Sequence, residues 1–99
     1  IRAAGPSLTQ FGVTGALPRP TLSLFSATGA VLAQNSGWST SADAASIVDA
    51  AARVGAFVFG ATSADAALIL NLPSGAYTAQ VTGVAGATGT ALLEVYELP

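Results

Sequence analysis

The sequence contains no cysteine, histidine, methionine or lysine. Each absence removes chemistry. Without histidine or cysteine there is no Ser-His-Asp triad, no thiolate nucleophile and no conventional zinc ligand set. Without lysine there is no Schiff-base amine and no P-loop. Charge is scarce as well: three arginines and five carboxylates make up 8% of the 99 residues and leave a net charge of −2. Three cations cannot neutralise a phosphate backbone, so no nucleic-acid partner is expected. No run of about 18 apolar residues occurs, so no membrane span is expected. No cofactor or metal and no enzymatic activity is expected. The lack of cysteine fits any redox compartment.

What remains is small and apolar. Alanine, glycine, serine and threonine number 22, 11, 9 and 10, a majority of the chain. Leucine, isoleucine, valine and phenylalanine add 26 residues, enough to favour folding over disorder. A single domain over 1–99 is expected. Its core is modest, since a chain this short buries only about 60–65% of its unfolded surface. A start at Ile1 with no leader reads as a segment of a longer chain or a mature product.

Periodicity divides the chain into short strands and one helix. Residues 1–4 are apolar and read as a strand end. Gly5-Pro6-Ser7 is a turn, with Ser7 placed to cap a single helical turn over 8–11. Residues 12–20 form a loop, closed by Pro18-Arg19-Pro20. Residues 21–25 alternate with Leu22 and Leu24 on one face, and 30–34 form the return strand of a hairpin. Residues 39–55 are the helical stretch. Thr40 or Ser41 serves as N-cap, Ala44, Ile47, Val48, Ala51 and Val54 form the apolar stripe, and Gly55 terminates it. Strands are expected over 56–59, 66–72, 76–84 and 90–98. In the third, Tyr77, Ala79 and Val81 oppose Thr78, Gln80 and Thr82; in the last, Leu93 and Val95 are expected to face the core. The expected fold is mainly β: an antiparallel β-sandwich of jelly-roll or immunoglobulin-like type with one short helix inserted around 41–54.

Three segments carry a resemblance. They are Ile1-Arg2-Ala3-Ala4-Gly5-Pro6-Ser7-Leu8 with Phe11-Gly12-Val13-Thr14-Gly15; Pro20-Thr21-Leu22-Ser23-Leu24-Phe25 followed by Gly29, Asn35 and Trp38; and Leu72-Pro73-Ser74-Gly75-Ala76-Tyr77-Thr78-Ala79-Gln80-Val81 running on to Leu93-Glu94-Val95-Tyr96-Glu97. In that order they resemble a tandem β-sandwich repeat of large secreted and cell-surface bacterial proteins. The back half is also similar to the bacterial pre-peptidase C-terminal domain, whose turn and strand patterns are matched by 29–35 and 75–81. The resemblance implies an extracellular or cell-surface setting. It also implies one or two strands ahead of Ile1, absent from this chain and supplied by a neighbour. Calcium sites in such domains use acidic residues around the first hairpin. Here that loop is Gln34-Asn35-Ser36-Gly37-Trp38, without a carboxylate, so no calcium is expected.

Few residues stand out as sites. Glu94 and Glu97 are close in sequence, but an i, i+3 pair in a strand points to opposite faces, which argues for rim charges rather than catalysis. Arg2, set among apolar residues, either pairs with Glu94 or Glu97 or lays its stem over apolar surface with its head in water. Trp38, in a Gly/Ser-rich loop, either stacks on a sugar or, the favoured reading, covers one end of the core against the helix. No N-x-Ser/Thr sequon occurs.

The two ends of the chain carry the remaining signal. Leu92 and Tyr96 flank Glu94 on the face away from Leu93 and Val95, and the first strand is equally apolar. Soluble monomers protect such edges with charge, which this chain lacks. Ile1, Arg2, Ala3, Leu92, Glu94, Tyr96 and Leu98 are therefore the expected assembly interface. The expected partners are copies of the chain or neighbouring repeats. The expected role is a structural module of an extracellular bacterial fibre or tandem-repeat protein. The alternative is an accessory module of a secreted enzyme, binding polysaccharide or protein with Trp38 as ligand contact.

Overall fold

The computed structural model of the chain describes residues 1–98. Within them are six strands, one α-helix and three short 3₁₀ turns. The strands are β1 (Arg2–Ala4), β2 (Pro20–Ser26), β3 (Val31–Asn35), β4 (Ala66–Ala67), β5 (Tyr77–Gly83) and β6 (Leu92–Glu94). The helix α1 spans Ala44–Val54. The strands form two antiparallel three-stranded sheets, ordered β4-β1-β6 and β3-β2-β5. The architecture is thus mainly β with one short helix, and neither sheet closes into a barrel.

The second sheet follows its sequence closely. Leu22 and Leu24 of β2 are buried as their alternation requires, and β5 alternates half-buried Tyr77, Ala79 and Val81 with exposed Thr78, Gln80 and Thr82. Pro20 opens the central strand, the one strand position where a missing N–H does no harm. Ser23 is buried too, because the Gln34 side-chain amide on β3 donates to its hydroxyl at 2.8 Å.

β1 is the hub. It is the central strand of its sheet, and all three of its residues are buried. Ala3 packs with Leu22 and Ala66, flanked by Leu68 and Val81. Ala4 belongs to a second cluster, with Leu8, Trp38, Ile47, Phe59 and Ala67. Both faces of β1 are therefore covered, which accounts for its small apolar residues.

Several expected elements form differently. The helix starts at Ala44, not near 41, because Trp38–Thr40 is drawn into a 3₁₀ turn by burial of the indole and by the Trp38 N–H bond to the Asp65 carbonyl at 2.9 Å. Asp43 is the N-cap residue, and the Ser41 hydroxyl accepts from its N–H. Of the expected stripe, Ile47 is buried while Val48 is 55% exposed. Residues 56–59 make no strand. The Phe57 carbonyl accepts from the Arg2 side chain at 2.7 Å, and the Phe57 and Phe59 rings fold over that guanidinium. Ladder pairing covers only Ala66–Ala67 and Leu92–Glu94 of the expected 66–72 and 90–98, since each flank pairs only as far as β1 reaches.

Candidate functional site: the sheet of the terminal strands and its cleft

The β4-β1-β6 sheet collects the charged residues that lie inside the molecule. Arg2 and Glu94 are direct cross-strand partners, and Arg2 Nε lies 3.2 Å from Glu94 Oε1. Of the two carboxylates on the last strand, Glu94 is thus the partner, with Arg2 almost wholly buried. The contact is an ion pair without hydrogen-bond geometry, and Arg2 Nη2 likewise forms no hydrogen bond among the described residues. The guanidinium is held instead by its Nη1 bond to the Phe57 carbonyl and by the rings of Phe59 and Phe57, whose centroids lie 3.8 and 4.5 Å from its central carbon. Burial lowers the Arg2 pKa, and the charge of Glu94 opposes that. Glu94 Oε2 accepts from the Tyr96 hydroxyl at 2.7 Å, which raises the Tyr96 pKa above its ordinary value.

A second buried charge, Asp65, escaped the sequence reading. It is fully buried. Its Oδ1 accepts from the backbone N–H groups of Gly5 and Ser7 at 2.7 and 3.1 Å. Its Oδ2 accepts from the hydroxyls of Ser7 and Ser63. Ser63 in turn accepts from the indole N–H of Trp38 at 3.2 Å. One carboxylate thereby ties the Gly5-Pro6-Ser7 turn, the 60–65 loop and the entry to α1 to one point. A lone Asp in an Ala/Ser-rich stretch carries no periodic signal, and only the serines of 7 and 63 hinted at its donors.

Trp38 is therefore a core residue. It is 6% exposed and packs against Phe59, Ile47 and Leu8, so it offers no face to a sugar. Among the expected interface residues, Arg2 and Ala3 are buried inside the central strand and cannot meet another molecule. Glu94 is mostly covered by its bond to Arg2. Ile1 and Leu98 are half-buried, while Leu92 and Tyr96 are exposed. Leu93 and Val95 do not face a core: they are 41% and 70% exposed. Glu94 and Arg2 lie where that strand's inward contacts are made.

Beside this sheet runs an open cleft of about 940 Å³. α1 lines one side with Ile47, Ala50 and Val54, and 68–72 and 95–98 line the rest. Among the described residues no three acidic side chains converge on a common point, and no helix is long and apolar enough to cross a membrane. No family model matches the chain, and neither a curated protein nor a solved structure does.

Proposed function

We propose that the chain is a non-enzymatic structural module of an extracellular bacterial protein, one unit of a fibre or tandem array, joined to its neighbours through the terminal-strand sheet. The observation that carries this reading is the edge strand β6 with its continuation. Leu92, Leu93, Val95 and Tyr96 are consecutive apart from Glu94, all exposed, and unprotected by lysine or proline. A run of that kind on a sheet edge favours association. The extracellular setting rests on the resemblance of the three segments quoted above. We further read the two sheets as packed face to face in a sandwich, supported by the contact of Ala3 and Ala66 on one sheet with Leu22 on the other.

The accessory-module reading loses its aromatic platform with the burial of Trp38. Sedimentation velocity and negative-stain electron microscopy of the purified chain test the assembly reading. Concentration-dependent oligomers or filaments are expected, and Leu93→Lys with Val95→Lys should return the chain to monomer without loss of fold. A parent chain that stays monomeric at millimolar concentration refutes it.

A further inference from the structure

The two flanks of β1 outrun it. On one side the register is Arg2↔Ala67 and Ala3↔Ala66; on the other it is Arg2↔Glu94, Ala3↔Leu93 and Ala4↔Leu92. Reciprocal bonds between the backbones of Ile1 and Leu68, at 2.9 and 2.8 Å, continue the first ladder by one residue. Beyond that, both flanks run on as 69–72 and 95–98 with no ladder partner among the described residues. Both line the cleft whose facing wall is α1. Carrying the two registers forward, the first position in line with β1 beyond Ile1 faces Ile69 and Tyr96. The next faces Leu70 and Glu97, and the third Asn71 and Leu98.

Two rows of backbone groups without partners, bordering one lane of a sheet, call for an extended chain. Only alternating N–H and C=O groups answer both rows at once; a lipid or sugar would leave them unpaired. Ile47, Ala50 and Val54 on the facing helix call for apolar side chains at alternate positions. The Arg2 charge is already matched by Glu94, and the other charged lining residues are Asp43 and Glu97, both acidic. An acidic occupant is thereby excluded.

We propose that this cleft is an acceptor slot for a β-strand supplied by a partner polypeptide: an uncharged, extended segment, apolar at alternate positions, running in the direction of β1 and antiparallel to 69–72 and 95–98. For the source of the strand the slot rests on the assembly reading above, and it supplies the contact that assembly needs. The incoming strand completes the sheet rather than capping its outer edge.

Hydrogen–deuterium exchange on the purified chain, with an end-blocked Thr-Val-Thr-Val-Thr peptide as probe, tests the slot. At a peptide concentration ten times its Kd, exchange of the 69–72 and 95–98 amides slows by about tenfold, as linkage requires. The same peptide with proline replacing its valines, and so lacking those N–H donors, gives no protection. Leu70→Asp, which puts a carboxylate into the lining, abolishes protection by the parent peptide while the thermal melt is retained. Unchanged exchange of both segments at saturating peptide, or protection confined to β3 or β5, overturns the slot. If filaments form while 69–72 and 95–98 still exchange freely, the slot fails and the assembly reading stands. If the peptide protects both segments but the chain never assembles, the slot stands and the assembly reading fails.

Discussion

At the scale of single residues the molecule turns on two buried charges. Asp65 satisfies four donors, and its truncation leaves all four without their acceptor. Asp65→Ala is expected to lose about 3–5 kcal/mol, a large share of what a chain this size possesses. Ser63→Ala removes one donor and should lose about 1 kcal/mol. Urea titration read by Trp38 fluorescence measures both, and equal losses would show that the carboxylate is not the organiser. Arg2–Glu94 is the other case. Glu94→Ala leaves the guanidinium buried without its counter-charge, for an expected loss of about 3–5 kcal/mol. Asp49→Ala, breaking the exposed pair with Arg53 at 4.0 Å, should fall within about 0.5 kcal/mol of the parent. Tyr96 reports on the same site. Its bond to Glu94 favours the protonated phenol, so that contribution is complete below the ordinary phenol pKa and fades as pH rises through the raised one. Glu94→Gln should bring the phenolate transition down towards the ordinary value, followed by ultraviolet absorbance. An unmoved transition would deny the contact.

At the scale of elements, glycine positions separate tight backbone from free backbone. A Cβ on Gly83 would lie 1.9 Å from the Ala87 carbonyl oxygen, and one on Gly5 2.2 Å from that of Leu17. Both obstacles are main chain and cannot step aside, so Gly83→Ala and Gly5→Ala should each lose about 3 kcal/mol or more. Gly29, at φ 86° in the β2–β3 turn, faces open space, and Gly29→Ala should lose only about 1 kcal/mol from backbone strain. Thermal melts rank the three, and a Gly29 variant as damaged as Gly83 would contradict this account. The elements legible in the sequence are those whose signal is local. β2, β3 and β5 follow period-two alternation, and Gly55 ends α1 at φ 72° as a left-handed C-cap. The elements misjudged depend on distant partners. Residues 56–59 have strand-like composition, yet the Phe57 carbonyl is taken by a side chain 55 residues away. The extents of β4 and β6 are set by β1, not by their own residues.

At the scale of the whole molecule, the low charge becomes a statement about association. Contacts made by Leu92, Leu93, Val95 and Tyr96 are apolar, so self-association should change little between low and high sodium chloride and strengthen with sulfate. Sedimentation across both salt series checks this, and a steep loss of association with sodium chloride would point to ion pairs instead. The sequence by itself determined the mainly β class, the hairpin of β2 and β3, the single helix and the exclusion of histidine, cysteine and lysine chemistry. Those follow from composition and from periods shorter than a turn or a strand. Only the tertiary structure decided that β1 is a buried central strand rather than an exposed edge, that Trp38 is core, that Asp65 joins three loops and that β4 and β6 leave an open lane between their continuations. Each of these depends on which segments, far apart along the chain, share a hydrogen bond or a packing surface, and no local pattern encodes that choice.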